Sequence, residues 1–278
     1  MRVEEGFQQV PFNEGNPYTE DPALPFLLRR LIPPRLFDEE IEPELKRFGV
    51  EVITNIRAQS SGSRISPPKL VQYDNWGRRV DELHTSEGWR SLKAIAQREG
   101  VPGIFYERKY REHSRTFGFA KALMMVGDSH EVFCPLSMTD GAARVIELMG
   151  TEGMKREILP KLISREPSSA FVAGQWMTEE GPTATDGDIA LALARTGPDS
   201  DSSKGLSLFL VPLRTPLLGI EPGSSISNGI RVHRLKNKIG THALPTAELS
   251  LEQTFAYLVG SPNQGVKNIL PVLNITRD

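Results

Sequence analysis

Gly174-Gln175-Trp176-Met177-Thr178-Glu179 divides this chain in two. An apolar run from Phe171 ends there on a Met-Thr-Glu step. Glu180-Gly181-Pro182 then breaks the pattern, and a second apolar run begins at Ile189. Upstream, apolar residues recur at intervals of three and four, the period of a helix with one buried stripe. Downstream they alternate or run continuously over short stretches, as strands do. The predicted fold class is α+β, an all-helical unit followed by a small antiparallel sheet domain.

Upstream of the divide, a helix is expected at 21–31, with Asp21 as cap, Pro22 at the first helical position and Pro33-Pro34 as the stop. A second runs from about 42 to 60, where Leu45, Phe48, Val52, Ile53 and Ile56 make one stripe. Others are expected at about 86–99, 111–126, 139–149 and 151–163, the last capped by Thr151. Asp74 to Gly77 suits a type I turn between short extended pieces. Downstream, strands are expected at Leu206 to Val211, Gly219 to Glu221, Gly229 to His233 and Ala247 to Leu251. Gly265 restarts a helical pattern that Pro271 interrupts. The chain thus divides into an arm (1–20), a helical domain (21–168), a middle β-domain (169–260) and the start of a further helical domain (261–278).

A chain of 278 residues with 38% hydrophobic and 24% charged residues can bury a sizeable core, which sets disorder aside. Its net charge of -2 argues against a nucleic-acid binder, whose affinity rests on excess Lys and Arg. One cysteine, Cys134, permits neither an internal disulfide nor a cysteine-rich zinc site, and fits a reducing compartment: cytoplasm or an organelle matrix. The first residues lack a secretory apolar core, the last carry no Ser-Lys-Leu address, and no apolar run approaches the roughly 20 residues of a membrane span.

The chain has no Gly-x-Gly-x-x-Gly loop, Walker loop, zincin helix or nucleophile elbow. His130 and Cys134 are one helical turn apart, where a histidine can activate a thiol. Their apolar neighbours Phe133 and Leu136 favour a buried structural cysteine. Arg231, His233, Arg234, Lys236 and Lys238 form one basic run, read either as a charged strand edge or as a phosphate site. The end of the Met177-Thr178 strand offers a hydroxyl and a backbone N–H where a loop leaves a rigid element, a common place for a cofactor rim.

Five segments together resemble the acyl-CoA dehydrogenase flavoproteins, and within them the AidB-like branch: Tyr73 to Asp81, Cys134 to Thr139, Trp176 to Glu179, Arg234 to Thr241, and Gly265 through Arg277. The resemblance implies an FAD between sheet domain and helices, an acyl-CoA stacked on it, and a homo-oligomer. It implies loss of a proton alpha to the thioester carbonyl and transfer of the beta hydride to the flavin. Residue by residue, it assigns Met177 and Thr178 to the flavin, Met138 and Thr139 to a helix lining the flavin and acyl region, and Thr276 and Arg277 to the CoA portion.

Two departures accompany the resemblance. Where the family has a Gly-Gly-Ser-Asp turn, two more strands and a Lys-Trp-Phe-Ser-type strand, this chain passes from Glu180 to Thr183 directly into Ala184 to Asp188, so the β-domain reads as shortened near 180–185. The family's catalytic glutamate lies in helices beyond Arg277, so no catalytic residue is assigned here. The expected function is FAD-dependent dehydrogenation of an acyl-CoA; the alternative is an inactive shortened paralogue or mis-spliced fragment acting as a binding protein.

Overall fold

Phe37, Ile41, Leu45, Phe48, Val52 and Ile56 form a stripe in which no residue exceeds 1% exposure, and it organises the helical part of the protein. The computed structural model describes residues 14–64, 66–129, 131–177, 186–214 and 227–277; the side chains of residues 63, 64, 199–201 and 277 are outside that description. Helix α1 (Ala23–Leu31) begins as expected, with Asp21 Oδ1 accepting from the amides of Ala23 and Leu24. The stripe's own helix starts earlier than its sequence pattern predicts. It is built from α2 (Pro34–Leu36), α3 (Glu42–Glu51) and α4 (Arg57–Arg64), joined by π-helical turns at Phe37–Ile41 and Val52–Ile56. Pro34, read as a stop, opens this run from its first position, where a missing N–H costs nothing.

The helical unit is interrupted by a hairpin. Strands β1 (Lys69–Tyr73) and β2 (Arg79–His84) pair antiparallel. The turn expected at Asp74 to Gly77 joins them, with Asp74 Oδ1 accepting from the amides of Trp76 and Arg78. Ser86 caps α5 (Glu87–Arg98) by accepting from Trp89 N at 3.0 Å. Then come α6 (Ile104–Glu107), a 3-10 turn at Arg111–His113, and α7 (Ser114–Val126). Helix α8 (Phe133–Met149) starts six residues ahead of expectation, because Pro135 falls in its first turn and needs no helical partner. Thr151 caps α9 (Glu152–Glu157), and α10 (Leu159–Leu162) follows.

Strands β3 (Ala173–Trp176), β4 (Ile189–Arg195), β5 (Leu206–Pro212) and β8 (Tyr257–Val259) form one sheet in the order β3-β4-β5-β8, while β6 (Ile230–Leu235) pairs with β7 (Ala247–Leu251). The expected antiparallel sheet is mixed: β3 and β4 run parallel, with Ala173 opposite Ile189 and Trp176 opposite Ala192. Both faces of the large sheet are covered. Ala173, Ile189, Leu191, Leu208 and Leu210 pack toward α8 and the last helix, while Trp176, Ala190, Ala192 and Val211 pack with Ile230 of β6. That is why β4 is apolar throughout its first half instead of alternating.

Helix α11 (Gly265–Arg277) continues through Pro271. A proline inside a helix costs about 3 kcal/mol, but Ile269 and Val272, on either side of it, are both buried, and that packing holds the helix together. The strand expected at Gly219 to Glu221 lies outside the described residues.

Candidate functional site

Three elements meet where the sequence pattern changes: the middle of α8, the strand β3 and the helix α11. Thr139 joins the first two. Its hydroxyl donates to Pro135 O at 2.7 Å and accepts from Ala173 N at 3.0 Å. Helix α11 approaches α8 at Gly141, where an added Cβ would lie 2.7 Å from Val272 Cγ1. Met177, at the end of β3, packs half-buried against the cluster containing Val272 and Ile146, and Thr276 is half-buried one turn beyond Val272.

Of the residues singled out in the sequence, Met177, Thr139 and Thr276 thus lie on converging elements. Met138 faces elsewhere, buried with Leu136 and Val132 in the core of the helical unit. Thr178, Glu179 and residues 180–185 are outside the described residues, as are His130 and the side chain of Arg277.

Trp176 points to the opposite face of the sheet from Ala173. Its indole Nε1 is buried and has no hydrogen-bond partner among the described residues. A buried donor left without an acceptor costs about 1–3 kcal/mol, so this N–H is a free polar handle at the end of the strand. A flavin's ring edge carries acceptors that such a handle can meet, and the end of β3 fits that group. Thr139 contributes differently, since its hydroxyl proton is already spent inside α8.

Sequence reasoning missed how the chain re-anchors after residue 185. Asp186 Oδ2 accepts from Trp89 Nε1 at 3.0 Å and lies 3.7 Å from Lys93 Nζ. Asp188 Oδ2 accepts from Val172 N at 2.8 Å. Burial pushes the Asp188 carboxyl above its ordinary range, against the lowering effect of that amide and of Lys93. The partners of Asp186 are nearly a hundred residues away on α5, so no local signal reveals them.

A second missed residue is Glu131. Its carboxylate accepts from the amides of His242 (2.8 Å), Ala243 (2.7 Å) and Leu244 (3.3 Å), three successive N–H groups that form an anion-binding nest. This pins the β6–β7 connection onto the helical unit, where Ala243 and Leu244 are buried.

Cys134 packs half-buried against the helical core. Burial, with the nearby Glu131 charge, pushes its thiol up, the reverse of what a nucleophile needs. In the basic run, Arg234 forms a two-point pair with Glu248 at 2.8 Å, Arg231 pairs with Glu252 at 2.9 Å, and His233 Nε2 bonds Ser250 Oγ at 2.6 Å. Arg234 is thus met on β7 and Arg231 just beyond it. The strand edge itself is covered by the hairpin: Asp81 Oδ2 accepts from Val232 N at 3.0 Å, and Gln72 and Arg79 both donate to Val232 O at 2.8 Å. No helix among the described residues is long and apolar enough to cross a membrane.

This arrangement recurs in known proteins. The family model for the adaptive response protein AidB N-terminal domain matches residues 8–167. Acyl-CoA dehydrogenase family member 11 of Caenorhabditis elegans is 35% identical over 309 residues, covering 98% of this chain and 49% of that protein. The putative acyl-CoA dehydrogenase AidB of Escherichia coli is 24% identical, covering 97% of this chain and 53% of that one. The crystal structure of C. elegans ACDH-11 in complex with C11-CoA aligns with a TM-score of 0.89 at 34% identity, over 98% of this chain and 51% of that one. The chain therefore spans about half the length of the curated relatives it matches. It belongs to the AidB-like acyl-CoA dehydrogenase family.

Proposed function

We propose that this chain carries the strand-end and helix surfaces of an FAD-dependent acyl-CoA dehydrogenase-like oxidoreductase. The reaction is removal of the alpha proton and beta hydride of an acyl thioester, for which a bound flavin supplies the hydride acceptor. Met177 and Thr178 hold the flavin from the end of β3, with the Trp176 N–H as a further donor. Thr139 fixes β3 against α8, and Met138 anchors the same helix in the helical core. Thr276 and Arg277, on the last turn of α11, meet the CoA portion. No residue of this chain is assigned as the base. The domain limits 21–168, 169–260 and 261–278 belong to the same reading, as do a homo-oligomer and a cytoplasmic or organelle-matrix location.

The observation that carries this reading is the likeness of nearly the whole chain, α8, β3 and α11 included, to a relative solved with an acyl-CoA. Calorimetric titration with undecanoyl-CoA tests it. Saturable binding is expected, weakened several-fold in a Thr276→Val, Arg277→Ala double variant; no binding, or binding indifferent to that variant, contradicts it.

A second reading is favoured by one feature of the sheet. β3 and β4 pair directly, in continuous register, so among the described residues no strand separates them. A protein of this form could bind acyl-CoA without turning it over. Binding of undecanoyl-CoA with no product and no flavin reduction would identify it.

A further inference from the structure

A bowl of about 630 Å³ opens between α6, the turn after it, α7, α8 and the end of α11. Its floor is aromatic: the rings of Phe105 and Phe119 lie 5.1 Å apart, and Phe119 is 43% exposed. Arg115 sits 4.7 Å over Phe105 and is held by two bonds, 3.1 and 3.2 Å, to the buried Asp140. Arg108 and Arg144 converge on one carboxylate, Glu147, so a single negative charge serves two guanidiniums. Arg111 is exposed and makes no ion pair among the described residues. Glu112, also on the rim, is 75% exposed and lies 3.7 Å from His113. With every carboxylate counted, the bowl keeps a positive excess.

Its backbone is unusual as well. Arg108 and Arg111 both have positive φ, 54° and 52°, in the left-handed region that side chains other than glycine rarely adopt. Two such residues within four positions, both on the rim of one cavity, follow the tendency of backbone strain to collect at binding sites. Planar guanidiniums are suited to two-point recognition of phosphate, and exposed aromatic rings to stacking of a flat ring. A volume of this size is that of a small-ligand site.

We propose that this bowl binds a phosphorylated, flat ligand of nucleotide size, its ring on Phe119 and Phe105 and its phosphate on Arg111, Arg108 and Arg144. Ile275 on the rim immediately precedes Thr276. The nucleotide end of CoA is therefore one source of such a ligand, and a free nucleotide is another.

Calorimetric titration of the full chain with 3′-phosphoadenosine 5′-diphosphate, ADP, adenosine and pyrophosphate tests it. Expected is one saturable site for the phosphorylated nucleosides, with adenosine and pyrophosphate each at least about tenfold weaker. Arg111→Glu should weaken nucleotide binding about tenfold or more, and Arg111→Lys should retain most of it. Arg111 has no ion pair among the described residues, so both variants should fold, which circular dichroism checks. Preference for the 3′-phosphorylated probe points to CoA and equal binding of ADP to a free nucleotide; either supports the site. No saturable nucleotide binding, or binding unchanged in both Arg111→Glu and Phe119→Ala, overturns it. Undecanoyl-CoA binding that survives Arg111→Glu would leave the proposed function standing while removing CoA as the ligand here.

Discussion

Lys121 is 1% exposed, and a buried ammonium is tolerated only where its charge is met. Its Nζ donates to Glu44 at 2.9 Å and to Glu99 at 2.6 Å, and lies 4.6 Å from the Phe48 ring; Arg47 bonds both carboxylates from outside. Lys121→Met removes the cation and leaves the acids behind, so a loss of about 3–5 kcal/mol is expected in urea unfolding. Burial alone would raise the Glu44 pKa. The hydrogen bonds and charges of Arg47 and Lys121 overcome that and hold it at about 2, below its ordinary 4.5. A depressed carboxylate stabilises the fold fully above its unfolded pKa and loses that stabilisation as the pH falls through the folded one. The urea midpoint of the parent protein should therefore drop between pH 4.5 and 2, and the drop should be shallower in Lys121→Met. Glu131 offers a second test at this scale. Glu131→Ala leaves three amides without their acceptor, so hydrogen exchange at His242, Ala243 and Leu244 should accelerate, with a stability loss of about 1–3 kcal/mol.

Between elements, the contact that positions the candidate site is the crossing of α8 and α11. Gly141→Ala places a methyl 2.7 Å from Val272 Cγ1 and 3.1 Å from its Cα, so overpacking of about 1–3 kcal/mol is expected. Val272→Ala in the same chain should recover part of it, because the Cγ1 clash disappears while the backbone contact remains; denaturant midpoints of the three variants measure this. The hairpin presents another dependence. Asp81 has a φ of 45° and turns its carboxylate onto the Val232 amide and the Arg79 guanidinium. Asp81→Ala should lower the melting temperature more than Asp81→Asn, which keeps an acceptor and tolerates that backbone. Most elements were legible from local signals: Asp21 and Thr151 mark helix starts, and the alternation in Ala247 to Leu251 marks a strand. What was not legible depends on distant partners. Nothing near Ile189 reveals that β4 pairs parallel with β3, and nothing near Pro271 reveals that burial of Ile269 and Val272 carries a helix through it.

For the molecule as a whole, the legible part of the site was the β3 end and the two helices beside it. Those elements carry short motifs in sequence, whereas Glu131 and Asp186 matter only through residues brought near by folding. Composition excluded more than it assigned. The net charge of -2 argued against nucleic acid without assigning any partner. The chain covers about half of each curated relative, so whether its strand-end surface holds a flavin unaided is the question on which its function turns. Gel filtration of the purified chain after incubation with FAD, read by flavin absorbance, answers it most directly. Flavin co-eluting with the protein in near-stoichiometric amount, and reduced in Trp176→Phe, is the expected result. Colourless protein with all of the FAD in the small-molecule fraction would contradict a flavin site on this chain.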